Sequence, residues 1–538
     1  SEIWGQKIGT DSIPVLNGEK VYKNAIYSGC CEQNQGEKTY DYSNTKGDTY
    51  LKEIHKFENG ICTACGAYEP APLENGYYQI STANQLYWLA EAVNSGNTKI
   101  NAVLTDDIVV NNNLLASLTF DKYENVNNGS QFKQWTPIGA SEANAYTGEF
   151  DGQNHTISGL YCNRNINGNG LFGYNAGTIK NIGVIDSYFG RNLSVGAICG
   201  YNKEFGKIIN TYNTSTVRGY AYVGGICGLN DGGTIENSYN AGIVKSYSSG
   251  MAGGICGNNA EGTITNSYNI GSVSGKRNIG GISGYNYSNN KIINCYNIGT
   301  VSGSENVGGV CGYIYRTKVE NCYNTGTVSG SSSVGGICGY NNETEVKNCY
   351  YLENCNADGT TFTNSEGTAK TSEQFKNGEV AYSLQDKQDN QETVIWGQEI
   401  GTDSLPVLNG ENRVYKVTAY SSVGNEIISE IYTNNSVTVT APVKEGYNFD
   451  GWYTIDESTE KLLCSSREYI FDATKDIGGI AVYKSLETVN ITINCDREYI
   501  LNGVSKSSAT TESYSIGSTV TLSCNDEDFA YWQNNAGT

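Results

Sequence analysis

The segment His55-Lys-Phe-Glu-Asn-Gly-Ile-Cys62-Thr-Ala-Cys65-Gly66 is the one run in this chain with metal-ligand spacing. Imidazole nitrogen and thiolate sulfur are the donors zinc prefers, and Cys-x2-Cys followed by Gly is half of a tetrahedral site. Cys30 and Cys31 stand upstream, and adjacent residues rarely both face one ion. The expected ligand set is Cys30, His55, Cys62 and Cys65, with the choice between Cys30 and Cys31 open. Four protein ligands leave no position for substrate, so the expected cofactor is a structural zinc. It would fold a polar, loop-rich stretch from Ser28 to Glu69 that has few apolar residues to build a core from. A disulfide or unpaired thiols would account for the same residues.

Other chemistry finds little footing. The chain has two histidines, His55 and His155, which excludes His-Glu-x-x-His. His155 and Cys162 are close in sequence, but no glycine turn accompanies them to hold an oxyanion. Glycoside chemistry needs clustered carboxylates, whereas Asp231, Glu261, Glu305 and Glu343 recur at no shared position. No catalytic residue is expected.

The frame around these residues is a repeat. The phrases NGLFGYN, VGAICGYN, VGGICGLN, AGGICGNN, IGGISGYN, VGGVCGYI and VGGICGYN carry anchor glycines at 173, 200, 228, 257, 284, 312 and 339. Those anchors are separated by 27, 28, 29, 27, 28 and 27 residues. Such a period marks stacked units, none of which buries its apolar face alone. After each phrase comes Asn-x-Tyr-Asn, as at Asn210–Asn213 and Asn294–Asn297, then a Val four residues on: Val217, Val244, Val273, Val301, Val328. Short β-branched runs bounded by Gly and Asn read as strands. Three strands per turn, with the glycine pair as a bend, predict a right-handed parallel β-helix, a β-solenoid. Seven coils at roughly 4.8 Å each give a rod on the order of 34 Å long.

Equal repeat positions form ladders. Tyr212, Tyr239, Tyr268, Tyr296, Tyr323 and Tyr350 make one, and Asn210, Asn237, Asn266, Asn294, Asn321 and Asn348 another. Stacked Asn amides can hydrogen-bond along the rod, and the Tyr row could offer faces to sugars. Repeat length varies at one place, after Val-Ser-Gly, where Ser304–Asn306 corresponds to the longer Tyr247–Met251. Insertions in a solenoid gather on one side, often the binding side.

The phrase Gly-Gly-Ile-Cys-Gly at this spacing, as in Val223–Gly228 and Val334–Gly339, resembles the GLUG motif. That repeat occurs in bacterial surface proteins and in some immunoglobulin-cleaving metallopeptidases. The resemblance implies an extracellular surface protein, here expected on a Gram-positive cell, and brings no catalytic residue. Residues 441–484 resemble an internalin-type B repeat, a small β-grasp-like spacer, through Gly446, Gly451 and Trp452. The usual closing Trp is missing, since Lys484-Ser485 follows Tyr483. Residues 486–538, with Tyr531 and Trp532, resemble the start of a further divergent copy.

Composition narrows the partners. Of a net charge of −21, the stretch Tyr161–Cys355 carries 13 Lys/Arg against 10 Asp/Glu, leaving −24 for the rest. An acidic chain argues against nucleic acid and anionic membrane. No 18-residue apolar run exists to span a bilayer. Eight of the seventeen cysteines form ladders, Cys199, Cys227, Cys256, Cys311 and Cys338 in one slot and Cys295, Cys322 and Cys349 in another. Rungs about 4.8 Å apart exceed the Cβ separation of a disulfide, so these read as buried free thiols, and that many suggest a low-oxygen habitat.

Two helices flank the coils. Thr82 with Gln85 forms a capping box, and Leu86, Leu89, Ala90 and Val93 share a face that would cap the stack. Thr371 with Gln374 starts a second helix, through about Leu384. Ile3–Glu19 recurs at Ile395–Glu411 with fifteen of 17 residues identical. The second copy follows a solenoid, so the first is expected to end a preceding module. The expected organisation is 1–23 as that tail, 24–73 as the Cys/His-rich segment and 74–410 as the capped solenoid (core 170–355). Residues 411–485 are the B-repeat-like module and 486–538 a partial β module.

Together these features predict a monomeric, non-catalytic, adhesin-like or spacer protein, anchored to the cell surface through regions outside this sequence. Its partner would be a glycan or protein on a host or neighbouring cell. A carbohydrate-active β-helix enzyme, lyase or hydrolase, is the rival reading, and an accessory region of a large surface peptidase is another.

Overall fold

The computed structural model describes every residue except 1–3, 17, 30–34, 51–54, 165–166, 192, 248, 358–361, 365, 409, 456–460, 496, 517 and 525–538. Cys30 and Cys31 therefore lie outside the described residues, as do Gly517, Tyr531 and Trp532. The chain divides into two units, Ser1–Ser372 and Glu373–Thr538.

The first unit is a parallel β-solenoid of about ten turns. One ladder runs from Tyr77–Ile80 and Ala102–Leu104 through Thr178–Ile185 and Lys207–Asn213 to Tyr350–Leu352 and Thr368–Lys370. Each turn in the repeat region has four faces where three strands were expected. The glycine-rich phrase supplies two of them, for example Tyr222–Gly224 and Cys227–Asp231, which join separate sheets. The glycine pair is the corner between them. A Cβ on Gly225 would lie 2.2 Å from the Gly254 carbonyl oxygen and 2.4 Å from Cγ of Asn240, so only glycine fits. The third face bends at the first Asn of Asn-x-Tyr-Asn. Asn210, Asn237, Asn266, Asn294, Asn321 and Asn348 all have φ between 47° and 54°, a left-handed conformation that Asn tolerates better than other side chains. The fourth face carries the Val ladder, fully buried.

The core is one continuous cluster of Ile, Val and Cys rungs. Each Ile or Val side chain stacks on its counterpart one turn away, as Ile208, Ile235, Ile264 and Ile292 do. The helix Ala83–Asn94 closes this core as predicted. Thr82 accepts from the Gln85 amide, Gln85 answers the Thr82 amide, and Leu86, Leu89, Ala90 and Val93 are buried against Ile80, Trp135 and Ile138. At the other end Tyr351 and Phe362 pack on the last coil, ring against ring at 5.5 Å.

Ahead of the helix, the stretch expected to be loop-rich holds a three-stranded sheet of Lys38–Ser43, Tyr22–Tyr27 and Thr49–Tyr50. Ala25 and Tyr27 are its buried apolar side chains among the described residues, and Lys23 lies 3.9 Å above the exposed Tyr40 ring.

In the second unit the expected helix is broken in two, Ser372–Lys376 and Glu379–Asp386. Gly378, at φ +90°, sits in the left-handed conformation that ends one helix and starts the next. Val380, Ala381 and Leu384 are buried, and the second helix packs on Trp396–Gly397. From Glu373 on, these helices group with the residues after 390 in the second compact unit. A mixed sheet follows, in the order Ile427–Thr433, Tyr415–Ser421, Ile477–Ser485, Tyr447–Thr454, Leu462–Cys464. Trp452 anchors its core against Phe471. Two small antiparallel sheets lie between Thr488 and Ser523.

Candidate functional site

His55, Cys62 and Cys65 converge. Phe57–Glu58 and Ile61–Cys62 form a two-stranded hairpin whose turn, Asn59-Gly60, has φ of 51° and 76°, the left-handed pair such tight turns need. The Cys62 amide donates to Ala67 O and the Gly66 amide to Cys62 O, each at 2.8 Å, with Gly66 at φ +76°. That turn swings Cys65 back beside Cys62. The Thr63 amide donates to Lys56 O at 3.0 Å, which ties the His55 side of the hairpin to the cysteine turn. As a result one ligand atom from each of His55, Cys62 and Cys65 lies within 4.8 Å of the others, and Cys65 Sγ is 3.7 Å from His55 Nδ1. The Cys62 thiol is lowered to about 6, chiefly by its hydrogen bond with His55. Cys30, the fourth expected ligand, lies outside the described residues.

The other nucleophile pair does not assemble. Cys162 is fully buried in the solenoid core, and burial pushes its thiol up to about 12. His155 turns instead to Asp107, 3.4 Å away.

Among the described residues the solenoid surface carries open grooves, of which two are lined by groups that could act on a ligand. One, of about 460 Å³, is lined by Glu74, Tyr77, Glu149, Asp151 and Lys180. Lys180 Nζ lies 2.8 Å from Glu149 and 3.5 Å from Asp151, and the Tyr77 hydroxyl donates to Glu149 at 3.1 Å. Sequence reading missed this cluster because its members come from three different coils. The bonded carboxylate of Glu149 raises the Lys180 pKa, so Lys180 stays protonated and is a poor base.

The second groove, of about 520 Å³, runs along the corner where repeat length varies. Lys245, Tyr247, Ser274, Lys276, Ser302 and Ser304 line it. Lys245 is paired with Glu124.

The Tyr ladder is settled by its geometry. Tyr212, Tyr239, Tyr268, Tyr296 and Tyr323 stack at centroid separations of 4.7–5.0 Å and within 4° of parallel. Each ring covers its neighbour's face, so the row has no free faces between rungs for sugars to stack on. The first-Asn ladder bonds along the rod in part: Asn294 donates to Asn266 at 3.2 Å, Asn348 to Asn321 at 2.6 Å, and Asn210 to Asn181 one coil before it at 3.0 Å, while the side-chain oxygen of Asn237 accepts no bond among the described residues. Two further Asn ladders went unread, although the repeat shows them. Asn213, Asn240, Asn269, Asn297 and Asn324 are fully buried and linked at 2.7–2.8 Å, and Asn175, Asn202, Asn230 and Asn259 at 2.8 Å.

A family model for the GLUG motif matches residues 219–245 and 303–329, one turn of the solenoid in each case. No curated protein matches this chain. A crystal structure of a candidate immunoglobulin A1 protease from Bacteroides ovatus is similar over 64% of this chain and 95% of its own, with 23% identity and a TM-score of 0.41.

Proposed function

We propose that this chain is a non-catalytic binding and spacing part of an extracellular surface protein, and that its solenoid takes an acidic glycan along the variable corner. The observation that carries this reading is the 520 Å³ groove at that corner. Its walls supply the ammonium group of Lys276 and a row of serine hydroxyls, which suit the carboxylates or sulfates and the hydroxyls of a sugar chain, while the Lys245 ammonium is already taken by Glu124. The groove lies within Tyr161–Cys355, where 13 Lys/Arg outnumber 10 Asp/Glu. Among the described residues no helix is long and apolar enough to cross a membrane. The mixed sheet around Trp452 serves in this reading as a spacer of the internalin B type.

The test is a glycan array including uronic-acid and sulfated polymers, read with intact protein. Binding without turnover, weakened by Lys276→Glu, supports the proposal. The rival is a carbohydrate-active enzyme, for which the cluster of Tyr77, Glu149, Asp151 and Lys180 is the specific motive. Turnover of any array polymer that Glu149→Gln abolishes would establish the rival. Neither binding nor turnover on the array would remove the glycan reading.

A further inference from the structure

We infer that His55, Cys62 and Cys65 hold a zinc ion, and that this ion braces a second layer of the solenoid's N-terminal cap. The spacing of the donors is the first reason. With Zn–S near 2.3 Å and Zn–N near 2.0 Å, a tetrahedron has a sulfur–nitrogen edge of about 3.5 Å. The Cys65 Sγ to His55 Nδ1 separation is 3.7 Å, and all three donors fall within 4.8 Å of one another. Nδ1 is therefore the ligating nitrogen, and the ring is steadied by stacking on Phe57, centroids 5.4 Å apart.

Preorganisation is the second. The hairpin and the turn closed by Gly66 set both cysteines by backbone hydrogen bonds, so the donors converge without help from a core. Cys62 is buried, yet between Phe57 and Glu69 it is the one buried apolar side chain among the described residues. Two thiols and an imidazole held together so tightly, where no hydrophobic core surrounds them, match a metal staple better than a hydrophobic contact.

The third reason is what the hairpin touches. The Asn59 carbonyl accepts from the Asn84 amide at 2.6 Å, at the first turn of the cap helix. Tyr68 stacks on Tyr87 of that helix at 5.3 Å, Tyr87 meets Trp135 edge-on, and Lys133 lies 3.9 Å over the Tyr87 ring. The hairpin thus covers the outer side of the cap helix. A zinc ion here joins His55 on one side of the hairpin to the cysteine turn on the other, which keeps Asn59 and Tyr68 in place together.

The full chain, purified without chelator, is tested by elemental analysis and by cobalt titration after metal removal. About one equivalent of zinc is expected, with a sulfur-to-cobalt charge-transfer band and intense tetrahedral d–d bands on titration. Cys62→Ser/Cys65→Ser should lose both signals, while Cys227→Ser, in the core ladder, should keep them. Zinc removal should raise amide exchange in 56–69 and in the first turn of the cap helix and leave the coils after Thr178 unchanged. Metal-free wild-type protein with a Cys62–Cys65 disulfide would overturn the inference. So would zinc retained at full stoichiometry in the double variant. If that variant fails to fold, a wild-type cobalt spectrum without the sulfur band is sufficient to reject it.

Discussion

Trp4 and Trp396 occupy the same place in two copies of one motif, yet Trp4 is 64% exposed and Trp396 fully buried. Both pair across an identical two-residue ladder, Trp4 with Leu16 and Trp396 with Leu408. What differs is the cover. The helix Glu379–Asp386 lies on Trp396, and the Gln385 side-chain oxygen accepts from the amides of Ile395 and Trp396. Among the described residues no helix packs on Trp4.

Equal substitutions should therefore have unequal effects. Trp396→Ala should cost its unit about 3–5 kcal/mol by emptying a filled core. Trp4→Ala should stay within about 0.5 kcal/mol. Denaturant unfolding followed by hydrogen exchange in 373–440 separates the two, and equal losses would contradict the burial contrast.

The Asn269 amide is a link in a buried chain. It accepts from Asn240 and donates to Asn297, each at 2.7 Å, and also donates to the Gly271 carbonyl at 2.8 Å. Asn269→Ala strands groups on both sides and should cost about 2–4 kcal/mol. Asn269→Asp should cost more at neutral pH, because a carboxylate cannot donate to the Asn297 oxygen. Burial raises that carboxyl's folded pKa above its unfolded value of about 3.9. The penalty of the Asp variant should then be smallest below about pH 4 and grow as pH rises through the folded pKa. Melts of the variant and wild type from pH 3 to 8 would show this, and a pH-independent difference would refute it.

The solenoid was legible because its period is written in glycine and asparagine, residues placed by backbone need rather than by packing. Gly225 and Asn240 are required by each other, so both recur. The cap helix was legible for a similar reason, since Thr82 and Gln85 are local partners. The four-faced turn was harder to read. Val223 and Cys227 read as one apolar run with a bend at the glycine pair, whereas the bend separates two strands, Tyr222–Gly224 and Cys227–Asp231, that join different sheets. The groove at Glu149 and Lys180 could not be read from spacing at all, because its neighbours are set by coil registry between irregular first turns. His55, Cys62 and Cys65 were readable because turn chemistry alone brings them together.

Two glycines give opposite expectations for the same change. At Gly254 a Cβ would stand 2.1 Å from the Gly281 carbonyl oxygen and 2.4 Å from Cγ of Asn269, and neither can move without breaking the stack. Gly254→Ala should cost about 1–3 kcal/mol or more. Gly47 has open space around it and an ordinary φ. Gly47→Ala should be neutral or stabilise by about 0.4–1 kcal/mol through the unfolded chain. Denaturant midpoints of the two variants, measured side by side, check the pair.

Thiol reactivity should sort by place in the fold. Cys199, Cys256, Cys311, Cys322 and Cys349 are buried in the coils, and burial pushes their thiols well above the ordinary range. Thiolate is the reactive form, so both chemistry and access protect them. Cys464, Cys495 and Cys524 are half-buried in the second unit. At pH 8 iodoacetamide should label those three in native protein and reach the coil cysteines only after denaturation, as read by peptide mass spectrometry. The slot itself tolerates a hydroxyl, since Ser283 fills it between Cys256 and Cys311 in register. Cys256→Ser should then leave the coil intact, because its hydroxyl can donate to Asn258 O, the carbonyl that the Cys256 thiol already reaches at 3.0 Å. A rung that unfolds on that change, or coil thiols labelled in the native state, would show that the ladder is held by something other than packing.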